Sequence, residues 1–139
     1  MQPVRPSRIP TKTIRVVAAV IEREGAYLIT QRRPTAVLSL LWEFPGGRVE
    51  EGETDEAALR REVAHRLGAE IEVGTLISFV SHDYEQYTVD LHLYDCRITG
   101  AEPTALAVHD FRWVRSDDFE RYPFTPADEA SMSKLLGVD

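Results

Sequence analysis

Glu62, His65 and Arg66 stand at i, i+3 and i+4 in "REVAHRLG" (61–68), so a helix there stacks their side chains on one flank. A carboxylate on such a flank can ligate a hard cation through oxygen. A guanidinium there can take phosphate oxygens in its planar fork. Upstream, "EFPGGRVEEGET" (43–54) supplies Gly46 and Gly47, where the backbone can approach a ligand closely, followed by a run of acids. These residue types suit hard-cation or phosphate chemistry. The remaining candidates suit less. His82, His92, His109 and Cys96 have no two members at a metal-ligand spacing, which argues against zinc.

The spacing from Gly47 to Ala69, "GRVEEGETDEAALRREVAHRLGA", resembles the signature of the Nudix hydrolase family. Gly47, Glu53, Arg61, Glu62, Val63 and Gly68 fall at matching positions, and "LWEFPG" (41–46) resembles the lead-in of MutT-like members. "LITQRRP" is similar to the family's second strand, with Arg33 in the place of its substrate-facing arginine. "FRWVRSDDF" resembles its late strand, and "FTPADEASMSKLL" its closing helix, with Asp128 where the family reads a nucleobase. The resemblance implies an α+β Nudix fold, an α/β/α sandwich around a mixed sheet. It also implies a nucleoside di- or triphosphate, or a related diphosphate, as ligand. Glu62 is then a catalytic and metal-binding residue, the Gly46 carbonyl a further ligand, and Glu53 with Arg61 the pair that organises the loop against the helix.

Diphosphate cleavage gathers negative charge on oxygens in the transition state, and family members meet it with Mg²⁺ and several helix carboxylates. Here Glu62 is the one carboxylate of that helix set; His65 and Arg66 replace the other two. A further family acid, six residues ahead of the late-strand tryptophan, falls on Ala107 when counted from Trp113. Magnesium is therefore expected from the resemblance and opposed by the residues. Three readings stay open: a nucleotide-binding protein with weak or absent hydrolysis, in which Arg66 binds substrate phosphate; an active pyrophosphohydrolase with a rearranged site; and a non-catalytic sensing or protein-interaction module.

The rest of the chain must position these groups. At 139 residues it fits one domain, with a tail over 1–12 and the folded part over 13–139. A net charge of −7 argues against a nucleic acid polymer, whose backbone needs clustered Lys and Arg. No apolar run approaches a membrane span, and the proline-rich basic start lacks a signal peptide's apolar middle, so a cytoplasmic protein is expected. A homodimer is compatible with the resemblance. Lone Cys96 is expected as a buried filler.

"TIRVVAAVIE" (13–22) reads as a strand buried on both faces, turning at Glu24-Gly25 into a second strand. Residues 34–41 read as an apolar loop and 46–53 as turn-rich. The helix after Thr54 has an N-cap, acids in its first turn, a stop at Gly68 and a buried stripe of Leu59, Val63 and Leu67. Strands follow over about 70–82, 87–98 and 109–115. Ser116 is expected to cap a short helical turn, and Thr125-Pro126 to start a last helix. Trp42, Phe44 and Trp113 are expected in the core.

Overall fold

A computed structural model describes residues 12–135. The tail expected over 1–12 lies outside them except for Lys12, whose carbonyl accepts from Thr88 N–H at 2.9 Å. In chain order the strands are β1 (Thr13–Arg23), β2 (Ala26–Gln31), β3 (Trp42–Glu43) and β4 (Gly46–Arg48). Helix α1 (Asp55–Leu67) follows, then β5 (Ile71–Asp83), β6 (Thr88–Ile98) and β7 (Asp110–Arg115). A 3₁₀ turn (Ser116–Arg121) leads to helix α2 (Pro126–Leu135).

β1 is the spine, as its apolar, β-branched sequence requires. It runs parallel to β6 from Thr13–Thr88 to Ile21–Cys96, and antiparallel to β2 and β4 on its other edge. The order β3-β2-β1-β6-β5, with β7 on β2, gives a mixed sheet. Val17, Ala19 and Ile21 pack with Leu59, Val63 and Leu67 of α1 on one face. Ala18 and Val20 pack with Phe119, Phe124 and the α2 residues Ala127 and Met132 on the other. The result is a helix layer on each side of the sheet, the α/β/α arrangement of an α+β protein. Each Val, Leu, Ile, Phe or Met side chain fully buried this way contributes roughly 1.5–3 kcal/mol. No helix among the described residues is long and apolar enough to cross a membrane.

Local signals produced the expected local structure at three places. Glu24 (φ 52°) and Gly25 (φ 83°) make the two-residue β1–β2 turn, which needs positive φ at both positions. Thr54 accepts from Ala57 N–H, and Gly68 ends α1 at φ 63° with its N–H on the Ala64 carbonyl. Cys96 is buried, and burial pushes its thiol up to about 12.

Two expectations change. The stretch from Gly46 begins as strand β4 rather than as turns, because Gly46 lies directly across β1. A Cβ there would stand 2.0 Å from the Val17 carbonyl oxygen. Only a residue without a side chain lets β4 pair at that distance. The 3₁₀ turn carries no side-chain cap: Arg115, not Ser116, is its flanking residue and makes no capping bond.

Candidate functional site

The glycine turn meets α1 through one ion pair. Arg61 donates from Nε to Glu53 Oε2 at 2.7 Å and from Nη2 to Glu53 Oε1 and the Arg48 carbonyl, each at 2.9 Å. Glu53 Oε1 also accepts from Glu50 N–H at 2.9 Å. Glu53 is thus tied to both its own loop and the helix, and its carboxyl is drawn down to about 2, chiefly by Arg61. Glu62, next along the chain, is buried at 8% exposure beneath Gly47. A Cβ on Gly47 would sit 2.4 Å from the Glu62 carboxyl carbon. Gly47 is therefore the space that Glu62 occupies.

Glu62 is engaged on both sides: its Oε2 lies 3.3 Å from Arg61 Nη1, and its Oε1 accepts from Arg66 Nε at 3.0 Å. Arg66 also extends Nη1 to within 3.7 Å of Glu43 Oε2. Glu43, on β3, accepts from Arg32 Nη1 with both oxygens at 3.2 Å, and Arg32 Nε in turn donates to the Val37 carbonyl at 2.6 Å. One carboxylate is thus shared by two guanidiniums on different elements. His65 is an exposed helix residue and is not among the cavity-lining residues. Ala107 and Leu106 donate their N–H groups to the Arg66 carbonyl at 2.9 and 3.0 Å, sealing the C-terminal end of α1. Asp110, the nearby acid, is paired with Arg112 at 2.6 Å.

These groups form one end of a cavity of 380 Å³ that runs along the α2 face of the sheet. Gly46, Gly47, Arg48 and Arg66 line that end with Arg32 and Glu43. The rest of the lining is largely apolar, with Ile14, Val16, Val89, Tyr84 and Tyr87, and Asp128 and Thr125 at the start of α2 lie close to the Glu43–Phe44 segment. Asp128 accepts from Phe44 N–H at 2.9 Å and from the Thr125 hydroxyl at 2.7 Å. It is 6% exposed, and burial first, then the nearby Glu43 charge, pushes its carboxyl up to about 7.

The cavity therefore gathers Gly46, Gly47, Arg66 and Asp128 from the expected set, with Glu62, Glu53 and Arg61 braced behind the glycine turn. Arg33 is not part of its lining. Its guanidinium donates to the Leu106 carbonyl at 3.1 Å, and it is Arg32 that lines the cavity. Glu43, Arg48, Tyr84 and Tyr87 also line the cavity, outside the set expected from the sequence. Glu43 lay inside the "LWEFPG" lead-in, and "DYEQY" put two aromatic residues at a hairpin tip; both were visible signals. Phe44 is buried as expected yet also lines the cavity.

Magnesium asks for several oxygen ligands around one point. Among the described residues no three of His, Cys, Asp and Glu converge in that way. The one carboxylate on the helix flank is held by two arginines. The residues present do not fit a cluster of divalent ions on α1.

The chain matches the family profile of the NUDIX domain over residues 16–134. It is 38% identical over 130 residues to the CTP pyrophosphohydrolase of Escherichia coli strain K12, covering 91% of this chain and 94% of that protein. It is 35% identical over 121 residues to a putative 8-oxo-dGTP diphosphatase 2 of Mycobacterium tuberculosis, covering 86% of each. Among solved structures, the E. coli ORF135 protein superposes with a TM-score of 0.77 at 31% identity, over 91% of this chain and 90% of that one. A MutT NUDIX hydrolase from Burkholderia pseudomallei superposes with a TM-score of 0.75 at 27% identity, over 89% of this chain and 98% of that one.

Proposed function

The chain belongs to the Nudix hydrolase family, in its MutT-like branch, and from that premise we propose that it binds nucleoside triphosphates while hydrolysing them weakly. The observation that carries this reading is the position of Arg66. Its guanidinium stands at the glycine turn, 3.0 Å from Glu62 and 3.7 Å from Glu43, on the helix flank where family members gather carboxylates.

The base enters the apolar end beside Asp128, and the phosphates run toward Gly46, Gly47 and Arg66. Arg66 supplies a planar, permanently charged fork for phosphate oxygens. It supplies no means of ionising a water, so binding survives better than turnover. Losing one preorganised stabilising contact costs roughly 3 kcal/mol, or about a hundredfold in rate. The names of the relatives make CTP and 8-oxo-dGTP the first ligands to try. Cleavage of either would yield a nucleoside monophosphate and pyrophosphate.

The test is a panel of nucleoside triphosphates, NDP-sugars and dinucleotide polyphosphates, followed by thermal melts and product release with and without Mg²⁺. A bound nucleotide at a hundred times its Kd stabilises by about 2.7 kcal/mol, and this gain is expected in the absence of the metal. Brisk magnesium-dependent turnover, abolished by Glu62→Gln, would overturn the weak-hydrolysis reading and establish an active enzyme with a rearranged site. Neither stabilisation nor turnover would leave a protein-interaction module.

A further inference from the structure

The β5–β6 hairpin closes at its tip through Tyr84 N–H on the Tyr87 carbonyl, at 2.8 Å. This closure stacks the two rings, with centroids 5.1 Å apart and planes 25° from parallel. The Tyr84 ring is braced again by His82, whose ring centroid lies 4.7 Å away. Both tyrosines line the cavity. A flat aromatic surface fixed before any ligand arrives costs little further ordering on binding, which favours a planar ligand over a flexible one.

The Tyr84 hydroxyl accepts from Ala127 N–H at 3.2 Å, in the first turn of α2. A phenol oxygen that accepts still has its own proton to donate, and among the described residues no group accepts it. The hydroxyl therefore presents a donor at the same end of the cavity as the Asp128 carboxyl, one residue along from Ala127. Apart from Thr125, whose hydroxyl donates to Asp128, aliphatic and aromatic side chains make up the rest of that wall. A sugar ring, with several hydroxyls, would leave most of them unpaired there, and each unpaired buried hydroxyl weakens binding. A nucleobase needs a face to stack on and one or two partners at its edge.

We propose that Tyr84 and Tyr87 are the base-recognising wall of the cavity, the paired rings taking the base's face and the Tyr84 hydroxyl donating to an acceptor on its edge. This rests on the nucleotide-binding reading and assigns the base-selective part of it. Stacking on an aromatic side chain tolerates every base, because each has a π-face. Tyr87 then adds affinity across the bases, whereas Tyr84 adds a hydrogen bond that depends on the base edge.

The experiment titrates CTP, 8-oxo-dGTP and inorganic tripolyphosphate into the wild-type chain and into Tyr87→Leu, Tyr87→Phe and Tyr84→Phe. Tyr87→Leu is expected to weaken both nucleotides about tenfold and tripolyphosphate less than twofold, with Tyr87→Phe restoring the affinity. Tyr84→Phe also removes the acceptor for Ala127, so the ratio of nucleotide to tripolyphosphate affinity is the readout. That ratio should fall about tenfold for at least one of the bases. Equal weakening of all three ligands, or of none, overturns the proposal. If wild-type chain binds tripolyphosphate but neither nucleotide, the base wall falls and the phosphate end stands. If it binds none of them, both readings fall.

Discussion

The two ends of the cavity handle charge in opposite ways. At the glycine turn, ionised groups are crowded together and each carboxylate has an arginine: Glu53 with Arg61, Glu62 with Arg61 and Arg66, Glu43 with Arg32 and Arg66. At the α2 end one carboxyl, Asp128, is buried with neutral hydrogen-bond donors on both oxygens, and burial together with the nearby Glu43 charge pushes it up to about 7. The first region gives each carboxylate an arginine; at the second, burial and a neighbouring carboxylate keep Asp128 protonated well above the usual carboxylate range. The difference separates scaffold from chemistry. The Glu53–Arg61 clasp involves neither His65 nor Arg66, so the shape of the glycine turn does not depend on the residues at those two positions.

The largest effect that would break this comparison is Gly46→Ala. The added methyl meets the β1 backbone, which cannot swing aside as a side chain can. A loss of about 3 kcal/mol is expected, seen as a fall in Tm of roughly 10 °C. A melt within 2 °C of wild type, about half a kcal/mol, would mean that β4 is free to slide.

Next comes the paired substitution His65→Glu with Arg66→Glu. It frees Glu62 from Arg66 and returns carboxylates to the flank, and magnesium-dependent turnover should rise about a hundredfold. Calorimetric titration of Mn²⁺ into the variant decides how a failure is read: metal bound without turnover would show that the base end has diverged as well.

Asp128→Asn sharpens the contrast through pH. A carboxyl raised to about 7 in the folded state, from an ordinary value near 3.8, keeps its proton while the unfolded chain has lost it. Stability contributed by this group is whole below about pH 4 and declines as pH rises to about 7. The asparagine variant should lose that decline, a change on the order of 2 kcal/mol across the window. Urea midpoints at pH 4.5 and 7 measure it; parallel wild-type and variant slopes would place the titration elsewhere.

Glu53→Gln should give the smallest change, with the opposite sign. Glu53 is lowered to about 2 from near 4.5, so its stabilisation is present above about pH 4.5 and is lost as pH falls through 2. The variant should melt below wild type at pH 6, and the gap should close toward pH 2. A gap that stays constant with pH would mean that the charge of Glu53 is not what holds the loop.

Much of the fold was legible because its signals are local. Thr54, the Leu59–Val63–Leu67 stripe and Gly68 define α1 within its own residues, and the apolar run of β1 announces a strand covered on both faces. β3 and β4 were missed because two- and three-residue strands have no period to detect; they exist through their pairing with β2 and β1. Arg32 and Arg33 differ by one step at the end of β2, and alternation sends only one of them toward the cavity. Choosing between them requires knowing which face of β2 the cavity lies on, a fact that depends on β3 and the loop around Val37.

Sequence alone determined the family, the order of the longer elements and the scarcity of helix carboxylates, since each follows from residue type and spacing along the chain. Only the tertiary structure decided that Glu43 would share its charge between Arg32 and Arg66, and that two tyrosines of a distant hairpin would line the same cavity as Asp128. Those meetings are set by sheet register and by which groups burial forces to find a partner, and neither is written in the spacing of nearby residues.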